Sequence, residues 1–307
     1  MTQTPCGAGG EDFGGSLTQG QDGKVYIQAG DHSYRNLLVT GFEKVAGIGS
    51  GKVEIKPDDI KLARAQQESQ MQAAIGTLRV NAKHLTPTLT GNPGKDFAGS
   101  QPVPFQKNAD SSVRANAAWD EQNLYLSWDV TDSTPWINGA PEAAQMYVGG
   151  DTVDFQFGSD PKANAKRSEA VKGDFRLSIG NLSGKPTAVL YRAISAVKKP
   201  KSFSSGIVAK YEMEYVDVVP DAKIVANMRP DKKGYIVEAA IPWSALGFTP
   251  VPGEKYQGDI GVTHGDAGGS RTALRTYWSN QETGLVNDVV YELKMVPKNW
   301  GDIVFEK

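Results

Sequence analysis

SVRANAAWDEQNLYLSWDVTDSTPW, residues 112–136, is the stretch on which the fold turns. Within it, NLYLSWDV (123–130) sets Leu124, Leu126, Trp128 and Val130 on one side of an extended chain and Asn123, Tyr125, Ser127 and Asp129 on the other. That period of two predicts a strand with one face buried. The alternation recurs in TVDFQF (152–157), DFRLSI (174–179), IVAKYEMEYV (207–216), YIVEAAI (235–241) and TALRTYW (272–278). Strands of this kind, separated by turn residues, predict an all-β sandwich or barrel. One helix is expected after Ile241, with Pro242 at its first position, Trp243, Ala245 and Leu246 over one end of the core, and Gly247 as its stop.

Composition agrees with a soluble β protein. The 307 residues are 39% hydrophobic and 22% charged, and 34 glycines and 17 prolines supply many turns. Lysine and arginine number 33 against 35 acidic residues, a net charge of -2 that offers no broad positive field to nucleic acid. The apolar runs are too short for a membrane-spanning helix. Cys6 is the only cysteine, which excludes an internal disulfide framework, a cysteine-based zinc site and a CxxC redox centre. The opening MTQTPCGAGGEDFGG has neither the basic nor the apolar region of a signal peptide. Either a cytoplasmic protein or a cut N-terminus would read this way.

Three regions are expected. Residues 1–56 hold strand-like runs at 24–30, 36–42 and 52–56 among glycine-rich turns, and GGSLTQGQDGKVYIQAGDHSYRNLLVTGFEKV resembles the end of a truncated propeller-type domain, with a plain β-hairpin appendage as the alternative. Residues 57–84 read as a helical linker, the helix itself over PDDIKLARAQQESQMQAAI (57–75), where no glycine or proline interrupts helix-favouring residues after Pro57. A Thr, Pro and Gly cluster from Thr86 to Gly99 then loops into the main domain, 85–307.

Taken in order, SVRANAAWDEQNLYLSWDVTDSTPW (112–136), GDTVDFQFGSD (150–160), GYIVEAAIPWSALGF (234–248) and DIGVTHGDAGGSRTALRTYWSN (259–280) resemble the successive strands of a family 9 carbohydrate-binding module, a DOMON-related β-sandwich, over roughly 200 residues. The resemblance implies a jelly-roll-like antiparallel sandwich with a shallow sugar site between two tryptophans. The axial C–H faces of a pyranose suit aromatic rings, while its hydroxyl rim needs paired donors and acceptors. Carried over by position, the family's carboxylate falls on Asp154 and its arginine on Arg176. The alternative for these two is a surface cross-strand ion pair. Neither clamp tryptophan is retained: the first position reads Val148 beside Tyr147, and the second falls near Leu285 or Val286. Tyr147 and Trp136 are the rings that could replace them, whereas Trp128, Trp243 and Trp278 occupy core or helix-cover positions.

Catalysis finds little support. Carboxylate pairs such as Glu212 with Glu214 share the polar face of one strand, the pattern of a solvated sheet surface, and no GxSxG elbow accompanies His32, His84 or His264. His264 shares parity with Ile260 and Val262, which predicts a hydrogen-bonded interior or rim histidine. A structural calcium could sit in the loops Thr131–Asn138 or His264–Gly268, though ordinary turns look the same. Related sandwiches hold haem, for which Met146 with His264 or a lysine would have to supply the axial ligands. The expectation is therefore a non-catalytic carbohydrate-binding module for a polysaccharide or glycoconjugate, in a larger secreted, periplasmic or cell-surface protein with further domains upstream. A haem-binding electron-transfer domain and a purely structural interaction domain are the alternatives.

Overall fold

A computed structural model of the chain describes residues 75–206, 208–281 and 289–307, together with 4–5, 16–19, 25–28, 65 and 69. The chain divides into two compact units, Met1–Ala73 and Ala74–Lys307. In the first, β1 (Thr4–Pro5), β2 (Ser16–Gln19) and β3 (Val25–Gln28) form an antiparallel sheet in that order. The strand-like runs at 36–42 and 52–56 lie outside the described residues. So does most of the expected helix, of which Ala65, Ser69 and Ile75 are described and helical.

The second unit is an all-β sandwich. Its strands are β4 (Arg79–His84), β5 (Val103–Gln106), β6 (Ser112–Trp119), β7 (Asn123–Thr131), β8 (Thr152–Gly158), β9 (Asp174–Leu182), β10 (Lys185–Arg192), β11 (Lys201–Phe203), β12 (Tyr211–Met213), β13 (Tyr215–Val218), β14 (Lys223–Met228), β15 (Gly234–Pro242), β16 (Lys255–Gly265), β17 (Thr272–Tyr277) and β18 (Gly301–Phe305). Neighbours follow the order β13-β10-β9-β8-β16-β18-β4-β6-β7-β15-β14, with β17 added to β16 and β5 to β6, while β11 and β12 pair separately. The two layers meet at β4. Its residues 79–82 run parallel to β18 in one layer, and Lys83 and His84 run parallel to β6 in the other. The sheet is thus mixed rather than wholly antiparallel, and residues 79–84, read from sequence as linker, are structural. Only Val80 and Ala82 of RVNAKH face the core, too short an apolar pattern to declare a strand on its own.

Between the layers, Leu124, Leu126, Trp128 and Val130 of β7 share one core with Val153, Phe155 and Phe157 of β8, Phe175, Leu177 and Ile179 of β9, and Val237, Ala239 and Ile241 of β15. The inward face expected of NLYLSWDV is correct. Its other face is not open, because Tyr125 is 5% and Ser127 0% exposed; residues 85–102 fold back over it, with Phe97 packed on Ala118, Tyr125 and Ala240. The run 207–216 is not one strand. Tyr211–Met213 pairs with β11 and Tyr215–Val218 with β10, so successive parts of it serve different sheets. After β15 comes a helical turn, Trp243–Leu246, for which Pro242 is the extended N-cap rather than the first helical residue, and Gly247 ends it at φ 58°. Trp128, Trp243 and Trp278 all belong to the core, as expected. Among the described residues no helix is long and apolar enough to cross a membrane.

Phe305 of β18 ties the layers at their shared edge, its ring lying within 5.6–6.3 Å of those of Trp119, Phe157, Trp243, Phe248 and Tyr256. Phe305→Ala should lower the free energy of unfolding by about 3–5 kcal/mol, the cost of a large aromatic cavity. Urea denaturation measures this, and a loss below about 1 kcal/mol would show that the edge is not a cooperative part of the core.

Candidate functional site

Side chains opposite to the core-facing ones on β8 and β9 form the outer face of the β8–β9–β16 layer. Asp154 lies in register with Ser178, and Arg176 with Gln156, so the two charged residues meet diagonally, Arg176 Nη2 to Asp154 Oδ2 at 2.5 Å. Register also explains a partner that sequence reading missed. Asp154 on β8 faces Gly261 on β16, which faces Tyr277 on β17. A Cβ at Gly261 would fall 2.3 Å from the Tyr277 ring, so the missing side chain lets the phenol lie across β16 and donate its hydroxyl to Asp154. A glycine inside a strand was the available signal. Arg275 Nη2 donates to the Tyr277 oxygen at 3.1 Å.

This cluster is sealed. Asp154 and Arg176 are 0% exposed and Tyr147 is 1% exposed, which excludes the surface ion pair considered from sequence. The cover consists of a 3-10 turn, Ala143–Val148, and a short helix, Val289–Leu293. Arg176 Nη1 donates to the Glu292 carbonyl at 2.7 Å, its guanidinium stands 5.5 Å from the Tyr147 ring centre, and the Tyr191 hydroxyl bonds the Ala143 and Ala144 carbonyls at 3.2 Å. Burial alone would lower the pKa of Arg176, but the Asp154 charge outweighs it and holds the guanidinium above its ordinary value. Burial pushes the Tyr277 hydroxyl up to about 12. Three donors nevertheless lack a partner among the described residues: Arg176 Nε, Ser178 Oγ and Arg275 Nε.

Asp154, Arg176 and Tyr147 are thus brought together, and Trp136 is not with them. Its ring packs 5.8 Å from that of Tyr235 on the edge of the main core, whereas Tyr147 belongs to a separate apolar cluster with Met146, Tyr191 and Phe203. The second clamp position, Leu285 or Val286, lies outside the described residues.

The expected haem ligands do not fit that cofactor. Met146 is wholly buried in the Tyr147 cluster, and both ring nitrogens of His264 are engaged, Nδ1 with Asp132 at 2.7 Å and Nε2 with Thr276 at 3.2 Å. His264 is the hydrogen-bonded interior residue its parity predicted. In the loops considered for calcium, the carboxylates accept protein donors. Asp132 accepts from Thr134, and Asp266 accepts from Ser270 through both oxygens. Among the described residues no group of three or more His, Cys, Asp or Glu is placed to hold a metal ion. Glu212 and Glu214 are paired with Lys210 and Lys198 at the surface, the solvated arrangement expected of them.

An open site exists on the other layer. Residues 85–102 cross the outer face of β6, β7, β15 and β14 and wall a groove of about 800 Å³, within the range of small-ligand sites. Arg114 and Asn116 of β6, Asp129 of β7, Ile236 of β15 and Asn227 and Met228 of β14 form its floor, and Pro93, Phe97 and Pro102 its wall. Sequence reading treated the wall as a connecting loop, since nothing in its composition reveals what it spans. Two polar contacts pin it: Ser100 Oγ donates to Asn116 Oδ1 at 3.0 Å, and the Gly91 N–H donates to Glu238 Oε2 at 2.7 Å. Gly91 is required by φ 80°, and a Cβ there would also displace the Asn227 side chain, whose Nδ2 would lie 1.9 Å away.

Glu238, 0% exposed, lies near the carboxyl of Asp96, whose negative charge adds to burial in raising it. Burial pushes Glu238 up to about 7, while Asp96, despite the raising effect of burial, is held low by hydrogen bonds from Thr90.

No family model matches the chain, and no curated protein does. In fold it is similar to a family 9 carbohydrate-binding module from Caldicellulosiruptor kristjanssonii, solved with cellotriose (14% identity, TM-score 0.45, covering 75% of this chain and 94% of that one) and with glucose (14% identity, TM-score 0.47, covering 75% and 96%).

Two outcomes follow from the buried charges. Arg176→Met strands Asp154 and should cost about 3–5 kcal/mol in urea unfolding, with the Asp154→Leu, Arg176→Met double variant recovering part of that loss; a double-variant loss equal to the sum of the two single-variant losses would show the pair to be uncoupled. Asp151, Glu238 and Asp259 are each raised to about 7, burial being the largest cause. Groups raised on folding stabilise below their unfolded values and lose that contribution as pH climbs through 7. Asp96, Asp120 and Asp132 are lowered on folding and act oppositely, losing theirs in acid. The melting temperature should therefore peak in mild acid and fall from about pH 5.5 to about pH 8, less steeply in Glu238→Gln; a flat profile would contradict the assignment.

Proposed function

We propose that the sandwich is a non-catalytic carbohydrate-binding module that holds a sugar chain in the groove over β6, β7, β15 and β14. One observation carries this reading: the groove is open and lined by amide and guanidinium groups beside apolar proline, methionine and isoleucine surface. Pyranose rings present that same mixture of hydroxyl rim and C–H face. Glycoside hydrolysis needs two carboxyl groups flanking the scissile bond. Asp129 is the one carboxylate lining the groove among the described residues, and Arg229 Nη1 neutralises it at 2.9 Å. Binding without turnover is what such a surface supports. Polysaccharide is met mainly outside the cytoplasm, so we assign the chain to an exported protein, with the sandwich as its sugar-directed part.

The three unpartnered donors of the sealed cluster favour a second reading, in which a sugar enters beneath the turn 143–148 and the helix 289–293 to meet Arg176, Ser178 and Arg275. One experiment separates the two. The full chain is screened on a glycan array, and hits are titrated by calorimetry with wild type, Asn227→Ala and Ser178→Ala. The groove reading expects Asn227→Ala to weaken binding by about fivefold or more, the worth of one hydrogen bond, with no change in melting temperature. Loss in Ser178→Ala alone would move the site to the sealed face. Retention of no glycan would leave the sandwich as an interaction domain.

A further inference from the structure

We infer that the groove selects a carboxylate-bearing sugar, a uronate residue within an oligosaccharide, and that Arg114 is the residue that recognises it. The inference rests on the groove being the sugar site and adds the chemical class of its ligand. Two observations carry it. The first concerns charge. Arg114 and Asp129 are the charged residues lining the groove. They stand in register on adjacent strands, yet they do not pair, because Asp129 is held by Arg229, which also bonds Asp231 at 3.2 and 3.3 Å. Arg114 is exposed, and its side chain has neither an ion pair nor a hydrogen bond among the described residues. A guanidinium fork fixed on a strand, with its neighbouring carboxylate engaged elsewhere, suits a ligand that brings its own carboxylate.

The second observation concerns aromatic surface. Neutral sugars gain much of their affinity by stacking on exposed rings. Phe97 is the one ring lining the groove among the described residues, and it is 2% exposed because it packs on Ala118, Tyr125 and Ala240. Without a stacking platform, hydroxyl contacts alone exchange protein for water with little net gain. A charge-assisted, two-pronged bond to Arg114 supplies what the absent ring does not. Asn227, exposed at the edge strand and without a hydrogen bond among the described residues, is placed to hold a neighbouring hydroxyl.

The test uses the full chain and matched probes. Oligogalacturonate, oligomannuronate and oligoglucuronate are titrated alongside their methyl esters and neutral cello-oligosaccharides of equal length. At least one acidic oligomer should bind, its methyl ester about tenfold more weakly, as a charge-assisted bond exceeds a neutral one. Arg114→Gln should erase the difference between acid and ester without shifting the melting temperature. Arg114→Lys should restore only part of it, since the charge returns without the fork. Neutral oligomers binding as tightly as acidic ones, or Arg114→Gln leaving the preference intact, would overturn the inference while leaving the sugar-binding reading in place. Binding of no oligosaccharide, acidic or neutral, would overturn both.

Discussion

A single crossing strand organises the sandwich. β4 pairs through its first residues with β18 and through its last with β6, so one stretch of backbone satisfies hydrogen bonds in both layers and fixes their separation. Because β4 ends beside Trp119, with the Leu85 N–H bonded to the Trp119 carbonyl at 2.9 Å, the chain leaving it is already at the outer face of β6. Residues 85–102 have nowhere to run except across that face. The groove follows from this: an antiparallel layer that would otherwise be solvated is covered at one end by Phe97 and left open where Arg114 and Asn227 stand.

The two outer faces solve the same problem differently. Each carries charged and amide side chains on strands whose other side is core. On the β8–β9–β16 face, Asp154 accepts from both Arg176 and Tyr277, and the three are closed over by apolar residues such as Met146 and Tyr147. An isolated charge there would be prohibitively costly, and pairing is the condition of its burial. On the β6–β7–β15 face the buried charge is Glu238, which is relieved by protonation and by the Gly91 amide instead of by a cation. One face therefore depends on a salt bridge. The other depends on a proton that leaves near neutrality.

Much of the fold was legible because alternation is a property of local sequence: the inward sets on β7, β8, β9 and β15 are the core residues read from their parity. What escaped was set by distant partners. β4 is a strand only because β18 and β6 flank it, and the segment 207–216 breaks because β10 and β11 compete for its halves. Within the site, Asp154 and Arg176 could be placed by resemblance, but their sealing depends on residues 143–148 and 289–293, far apart in sequence. The groove was invisible for the same reason. Arg114, Asn116, Asp129 and Asn227 each sit on the polar side of a strand, indistinguishable from solvated surface until the wall stands beside them.

That wall also shows why a polar groove can be rigid without a core of its own. Its backbone is held at Gly91, whose positive φ suits glycine and whose N–H donates to Glu238, and at Ser100, which joins Asn116 and through it the buried Ser127 at 3.0 Å. Both anchors end on residues whose neighbours in the strand face the main core. The floor and the wall are therefore referenced to the same rigid layer, so the backbone of both is positioned before a ligand arrives and less backbone ordering opposes binding. The carboxyl pair of Glu238 and Asp96 sits at the root of this arrangement. When Glu238 loses its proton, a second negative charge arises near Asp96 at the Gly91 anchor of the wall. Preorganisation of the groove is consequently tied to the protonation of Glu238.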